Sequence, residues 1–98
     1  MSSIGLEGAY ELDPRVSLRP EPFGALAYHF DNRRLSFLRS HEMVAVVRSL
    51  GSYDTLAEAL AAAGVGPVRW PAFLRALERL AASDMIRTRD IGSAADVA

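Results

Sequence analysis

Residues 24–38 read GALAYHFDNRRLSFL, and the way this run folds decides the architecture around it. From Gly24 to Phe30 the side chains alternate with the period of a strand: Leu26, Tyr28 and Phe30 share one face, Ala25, Ala27 and His29 the other. Asp31 and Asn32 tolerate left-handed backbone geometry and suit a tight hairpin turn. Past the turn, Leu35 and Phe37 alternate with Arg34 and Ser36. A two-residue turn pairs Phe30 with Arg33, Tyr28 with Leu35 and Leu26 with Phe37; a longer loop, Asp31 to Arg34, pairs Phe30 with Leu35 and Tyr28 with Phe37. Either register gathers the large apolar pairs on one face, which is expected to turn inward. If this is the last strand of its sheet, Leu35 and Phe37 are expected to bond the neighbouring strand. Arg34, Ser36 and Leu38 would then direct their backbone groups at an open edge. Arg33, Arg34 and Arg39 either guard that edge or meet the acidic side chains of a peptide added to it.

Upstream, Val16 and Leu18 alternate with Ser17 and Arg19 until Pro20-Glu21-Pro22 ends the run and turns the chain. Downstream the pattern becomes helical. Ser40 is an N-cap candidate for a helix with Met43, Val44, Val47 and Leu50 on one stripe, closed by Gly51. Thr55 and Glu58 form a capping-box pattern before Leu56 and Leu60, and Gly64-Val65-Gly66 stops that helix. A third helix opens near Trp70-Pro71 and carries Phe73, Leu74, Leu77, Leu80 and Ala81 on one face; Met85 and Ile86 resume an extended form. Three strands followed by three helices predict an α+β domain, a three-stranded antiparallel sheet with helices covering one face. Their lengths and tight turns look like a winged helix-turn-helix. Residues 1–9 and 90–98 are expected to be flexible arms around a single domain of residues 10–89.

With 98 residues the chain holds one domain, able to bury on the order of two-thirds of its unfolded surface. The formal net charge of −1 offers no broad positive field for nucleic acid. All 11 basic residues are arginine, which follows from genome composition or from recognition of carboxylates. The absence of cysteine rules out disulfides and thiolate-bound clusters. No basic segment followed by an apolar core opens the chain, and no apolar run reaches the ~20 residues of a membrane span, so a cytoplasmic protein without membrane contact is expected.

His29, His41 and Glu42 lack the spacing of a zinc site and read as boundary or surface residues, so no metal is expected. Gly64-Val65-Gly66 follows a helix rather than a strand and is no phosphate loop. Ser36 and Ser40 are accounted for by strand and cap, which leaves no catalytic residue. The outward residues of the third helix, Ala72, Arg75, Ala76, Glu78, Arg79 and Ala82, are short and mixed in sign, which argues against the alternative of a winged-helix DNA-binding regulator. Trp70, Phe73, Leu74 and Leu77 form the core face of that helix, or in part the rim of a groove beside the last strand.

The stretches VSLRPEPFGALAYHFDNRRLSFLRS, HEMVAVVRSL and WPAFLRALERLAASDMI resemble the PqqD-like RiPP recognition elements, and among them those of the mycofactocin system, a likeness that spans roughly residues 10 to 88. RPEPFGAL with RRLSFL is the most specific part of the likeness. The resemblance implies a winged helix-turn-helix protein that is neither an enzyme nor a DNA reader. It implies binding of the leader of a ribosomally made, MftA-like precursor peptide. The peptide's C-terminal Val-Tyr end would be presented to an MftC-like radical S-adenosylmethionine maturase. The leader is expected along Arg34, Leu35, Ser36, Phe37, Leu38 and Arg39, and against Trp70, Phe73, Leu74 and Leu77. The iron–sulfur cluster and S-adenosylmethionine belong to the maturase, leaving this chain without a cofactor. A free edge can also pair with a second copy of itself in a homodimer.

Overall fold

The computed structural model describes residues 4–89. Four strands come first: β1 (Tyr10–Leu12), β2 (Val16–Glu21), β3 (Gly24–His29) and β4 (Leu35–Leu38). Three helices follow, α1 (His41–Ser49), α2 (Leu56–Ala62) and α3 (Trp70–Ala82), then β5 (Ile86–Thr88). Strands β2, β3 and β4 form an antiparallel sheet in that order, and β1 pairs with β5 in a second, two-stranded sheet. The chain is therefore α+β, with the expected three-stranded antiparallel sheet and three helices. The small second sheet was not foreseen: β1 is only three residues long, too short for a period-2 pattern to register.

Local chemistry fixes the element ends. Ser40 caps α1, its Oγ accepting the Met43 N–H at 3.0 Å, and Thr55 caps α2 through Glu58 N–H at 3.2 Å. Helix α2 ends in paired reverse bonds, Val65 N–H to Leu60 C=O and Gly64 N–H to Ala61 C=O, with Gly64 at φ 81°. The same closure ends α3, where Asp84 takes the left-handed position at φ 63° and brings Met85 back into the core at 1% exposure. In the β2–β3 hairpin Gly24 adopts φ +148°, and a Cβ there would stand 2.1 Å from the Leu38 carbonyl oxygen of β4. Only glycine lets the three strands approach so closely at that corner.

The register of β3 against β4 places Tyr28 opposite Leu35 and Leu26 opposite Phe37. This is the two-residue-turn register, but the tip is wider. His29 accepts from Arg33 N–H and donates its N–H to the Arg34 carbonyl, and Arg33 rather than Asp31 or Asn32 takes the left-handed φ of 62°. Polar groups wrap the tip: His29 Nδ1 accepts from the N–H groups of Asp31 and Asn32, and Asn32 Oδ1 accepts from Arg34 N–H. The imidazole therefore carries its hydrogen on Nε2, which is buried without a partner among the described residues. His29, expected at the boundary, is 1% exposed.

The sidedness of this sheet corrects the sequence expectation. Ala25, Ala27 and His29 face the helices at 0–1% exposure, while Tyr28, Phe30, Leu35 and Phe37 face outward. Ala25 and Ala27 share one cluster with Val46, Val47, Leu50 and Leu77, so the helix layer rests on a floor of methyl groups. Larger side chains there would hold the layers apart. The amino-terminal arm is described from residue 4 onward. Within it, residues 4–9 are tied down: Ile4 is buried, Leu6 and Gly8 carbonyls accept from Ala57 and Leu56 N–H, and Tyr10 Oη accepts from Gly5 N–H. Residues 1–3 and the expected tail of residues 90–98 lie outside the described residues.

Candidate functional site

Strand β4 has β3 on one side and, among the described residues, no strand on the other. Hydrogen-bond parity determines which of its groups are free. His29 N–H donates to the Arg34 carbonyl at 3.0 Å, and the Leu38 carbonyl lies against Gly24 of β3. Alternation along the antiparallel ladder makes Arg34, Ser36 and Leu38 the residues bonded to β3. Leu35 and Phe37 therefore turn their N–H and C=O outward. This reverses the expected parity, because the four-residue tip places the bonded pair at His29 and Arg34 instead of one residue further on.

Beside this edge runs a groove of about 480 Å³. Its strand wall is Ser36, Phe37, Leu38 and Arg39, its floor Ser40 and Met43, and its helix wall Ala76, Arg79, Leu80 and Ser83 of α3 and its end. The helix-wall residues fall three and four apart and so form one stripe. Asn32 Nδ2 donates to the Ser83 carbonyl at 3.1 Å and ties the hairpin tip to the end of α3. At the start of α3, Arg69 forks onto Glu42 of α1, with Nη1 2.9 Å from Oε2. This hydrogen-bonded pairing holds the Glu42 carboxyl below its ordinary value and raises the Arg69 guanidinium. Helix α3 is thereby anchored at both ends, which fixes the width of the groove. Arg39 and Arg79 are its only charged lining groups, and neither forms an ion pair among the described residues. The arrangement can accept an extended chain whose backbone bonds Leu35 and Phe37, with apolar and acidic side chains set against Leu80, Met43 and the two guanidinium groups.

No group of three or more His, Asp or Glu side chains that could hold a metal occurs among the described residues. No helix there is long and apolar enough to cross a membrane.

The profile of the peptide chaperone MftB family matches residues 9–87. The chain belongs to this family. Peptide chaperone MftB of Mycobacterium tuberculosis is 45% identical to it over 88 residues, 90% of this chain and 81% of that protein. The same-named protein of Mycobacterium ulcerans is 47% identical over 79% of this chain and 71% of its own. That of Mycolicibacterium smegmatis is 45% identical over 80% and 76%. No solved structure matches the chain.

Of the expected strand residues, Ser36, Phe37, Leu38 and Arg39 line the groove; Leu35 sits on the same edge and Arg34 at its start. Leu38 is buried, and the Arg39 guanidinium lies over the Phe37 ring, 5.4 Å from its centroid. Of the expected helix residues, none is in the groove lining. Leu77 and Phe73 are core residues, Leu74 packs partly buried against the core, and Trp70 donates its Nε1–H to the Val65 carbonyl at 2.8 Å. The α3 residues brought to the groove are Ala76, Arg79, Leu80 and Ser83. Their signal in the sequence was the stripe adjoining the apolar one, where Ala76 and Arg79 read only as solvent-facing.

Proposed function

We propose that the chain binds the leader of a ribosomally made, MftA-like precursor peptide by adding it as a strand to the open edge of β4. It then presents the peptide to an MftC-like radical S-adenosylmethionine maturase in mycofactocin biosynthesis. In this reading the protein is a peptide chaperone, not an enzyme, and its fold is a winged helix-turn-helix whose wing is the three-stranded sheet. The observation that carries the reading is the coincidence of the unpaired Leu35 and Phe37 backbone groups with a cationic groove between β4 and α3. Membership of the peptide chaperone MftB family supports it. Leader contacts run along Arg34 to Arg39, with Ala76, Arg79 and Leu80 on the helix side. Trp70, Phe73, Leu74 and Leu77 act beneath them as support. Peptide on the edge would exclude pairing of that edge with a second copy.

Calorimetric titration with the cognate leader tests the reading; micromolar binding corresponds to about −8 kcal/mol. Proline at Leu35 removes an outward N–H at the first residue of an edge strand, where proline is tolerated. Leu35→Pro should weaken the leader about tenfold relative to Leu35→Ala, the value of one backbone hydrogen bond in a desolvated interface. Ser36→Pro removes a bond to β3 and should lower the melting temperature. Equal affinity for the folded Leu35→Pro and Leu35→Ala variants would overturn strand addition.

A further inference from the structure

The outer face of the three-stranded sheet is covered by none of the described residues. Phe23, Tyr28, Phe30, Leu35 and Phe37 are 44, 36, 57, 58 and 55% exposed there. At about 150–250 Å² for each aromatic side chain, they form an apolar patch on the order of 500 Å². That is near the upper end for a protein that works alone. The patch is ordered: Phe23 meets Phe37 edge to face at 6.0 Å, and Tyr28 lies 6.0 Å from Phe30.

Two observations say what covers it. The first is charge. Arg39 sits on the Phe37 ring, Arg19 stands opposite Leu26, and the nearby carboxylate of Glu21 is already bonded to Arg19 at 3.0 Å. The Arg39 guanidinium, without an ion pair among the described residues, leaves a positive charge at this margin that suits an apolar surface edged with carboxylates. The second is continuity with the groove. Leu35 and Phe37 offer their backbone at the edge and their side chains on this face, so a strand added to β4 lays its own alternate side chains beside theirs. The face therefore grows when peptide is held. Two copies stacked face to face without peptide would bury on the order of 1,000 Å², the floor for a specific interface.

We infer that this outer face, extended by the bound peptide, is the docking surface for the folded enzyme that modifies the peptide, which meets it with an apolar patch rimmed by acidic residues. The inference rests on the peptide-presenting reading and adds the surface that reading leaves unassigned. The chain thus has two adjoining surfaces that meet at Phe37 and Arg39: a groove that holds the leader and a face that receives the enzyme.

The test uses the full chain, the Tyr28→Ser/Phe30→Ser double variant and, as a check on folding, the single exposed change Arg19→Glu. Leader affinity is measured by calorimetry. Association with the purified radical S-adenosylmethionine maturase, with and without leader, is measured by sedimentation. Both variants should keep leader affinity within about twofold and lose about tenfold or more in maturase association, as expected for removal of aromatic anchors or reversal of a rim charge. Unchanged maturase association in both variants would overturn the inference. So would a parallel loss of leader affinity, which would make the face part of the peptide site. A wild-type dimer that the double variant abolishes would assign the face to a second copy and overturn it too. If wild-type protein binds no leader, the peptide reading fails by itself, and loss or retention of maturase association without leader still decides this inference.

Discussion

The Asp13 carboxylate is buried and nearly saturated with donors from one residue. Arg15 supplies its N–H at 2.8 Å and its Nε–H and Nη2–H at 3.0 Å, then reaches Asp31 through Nη1 at 2.8 Å. The hydrogen bonds from the Arg15 side chain, working against the desolvation of burial, lower the Asp13 pKa to about 2. A depressed carboxyl pKa contributes stability that is complete above the unfolded value near 4 and is lost as pH falls through about 2. Because the Arg15 side chain is half-exposed, the contribution is of order 1 kcal/mol. Asp13→Asn should therefore lower stability at pH 7 by about that amount. The deficit should shrink between pH 4 and pH 2, as read by denaturant unfolding at each pH. None of this was legible from the sequence, because the third partner, Asp31, is 16 residues from Arg15.

At the scale of elements, periodicity told which residues of β3 and β4 share a face but not which face turns in. Both faces carry apolar groups, and the usual preference for burying the larger ones pointed the wrong way. What decides is the helix layer, since the cluster of Val46 and Val47 with Ala25 and Ala27 leaves space for methyl groups only. Ala27→Leu should overpack this layer and destabilise the protein by ~1–3 kcal/mol. The reciprocal change Tyr28→Ala on the outer face should alter stability by less than about 1 kcal/mol, both measured by urea denaturation. The caps at Ser40 and Thr55 and the stop at Gly64 were legible because their signals are local. The helix wall of the groove was not, because it depends on how α3 is rotated against β4, which the anchors Asn32–Ser83 and Arg69–Glu42 set across the fold.

For the molecule as a whole, α+β class and the order of the main sheet could be read from the sequence, whereas the closure of the chain could not. Tyr10 lies opposite Thr88, Leu12 opposite Ile86, and Arg89 N–H donates to the Ala9 carbonyl. Arg87 and Glu11, joined at 2.7 Å, are 76 residues apart in sequence. Contacts of such separation are expected to form late, after the local hairpins and helices have shortened the loop between them. In pulsed hydrogen exchange during refolding, amides of β2 to β4 should gain protection before those of β1 and β5; simultaneous protection of both sheets would contradict this order. The two-stranded sheet is thus a clasp at the start and end of the described chain, closing over a body that already holds its hairpins. A cut or a new loop at the exposed Gly66–Val68 turn, with residues near 4 and 89 joined, would leave every strand pairing available to a chain that begins in its own middle.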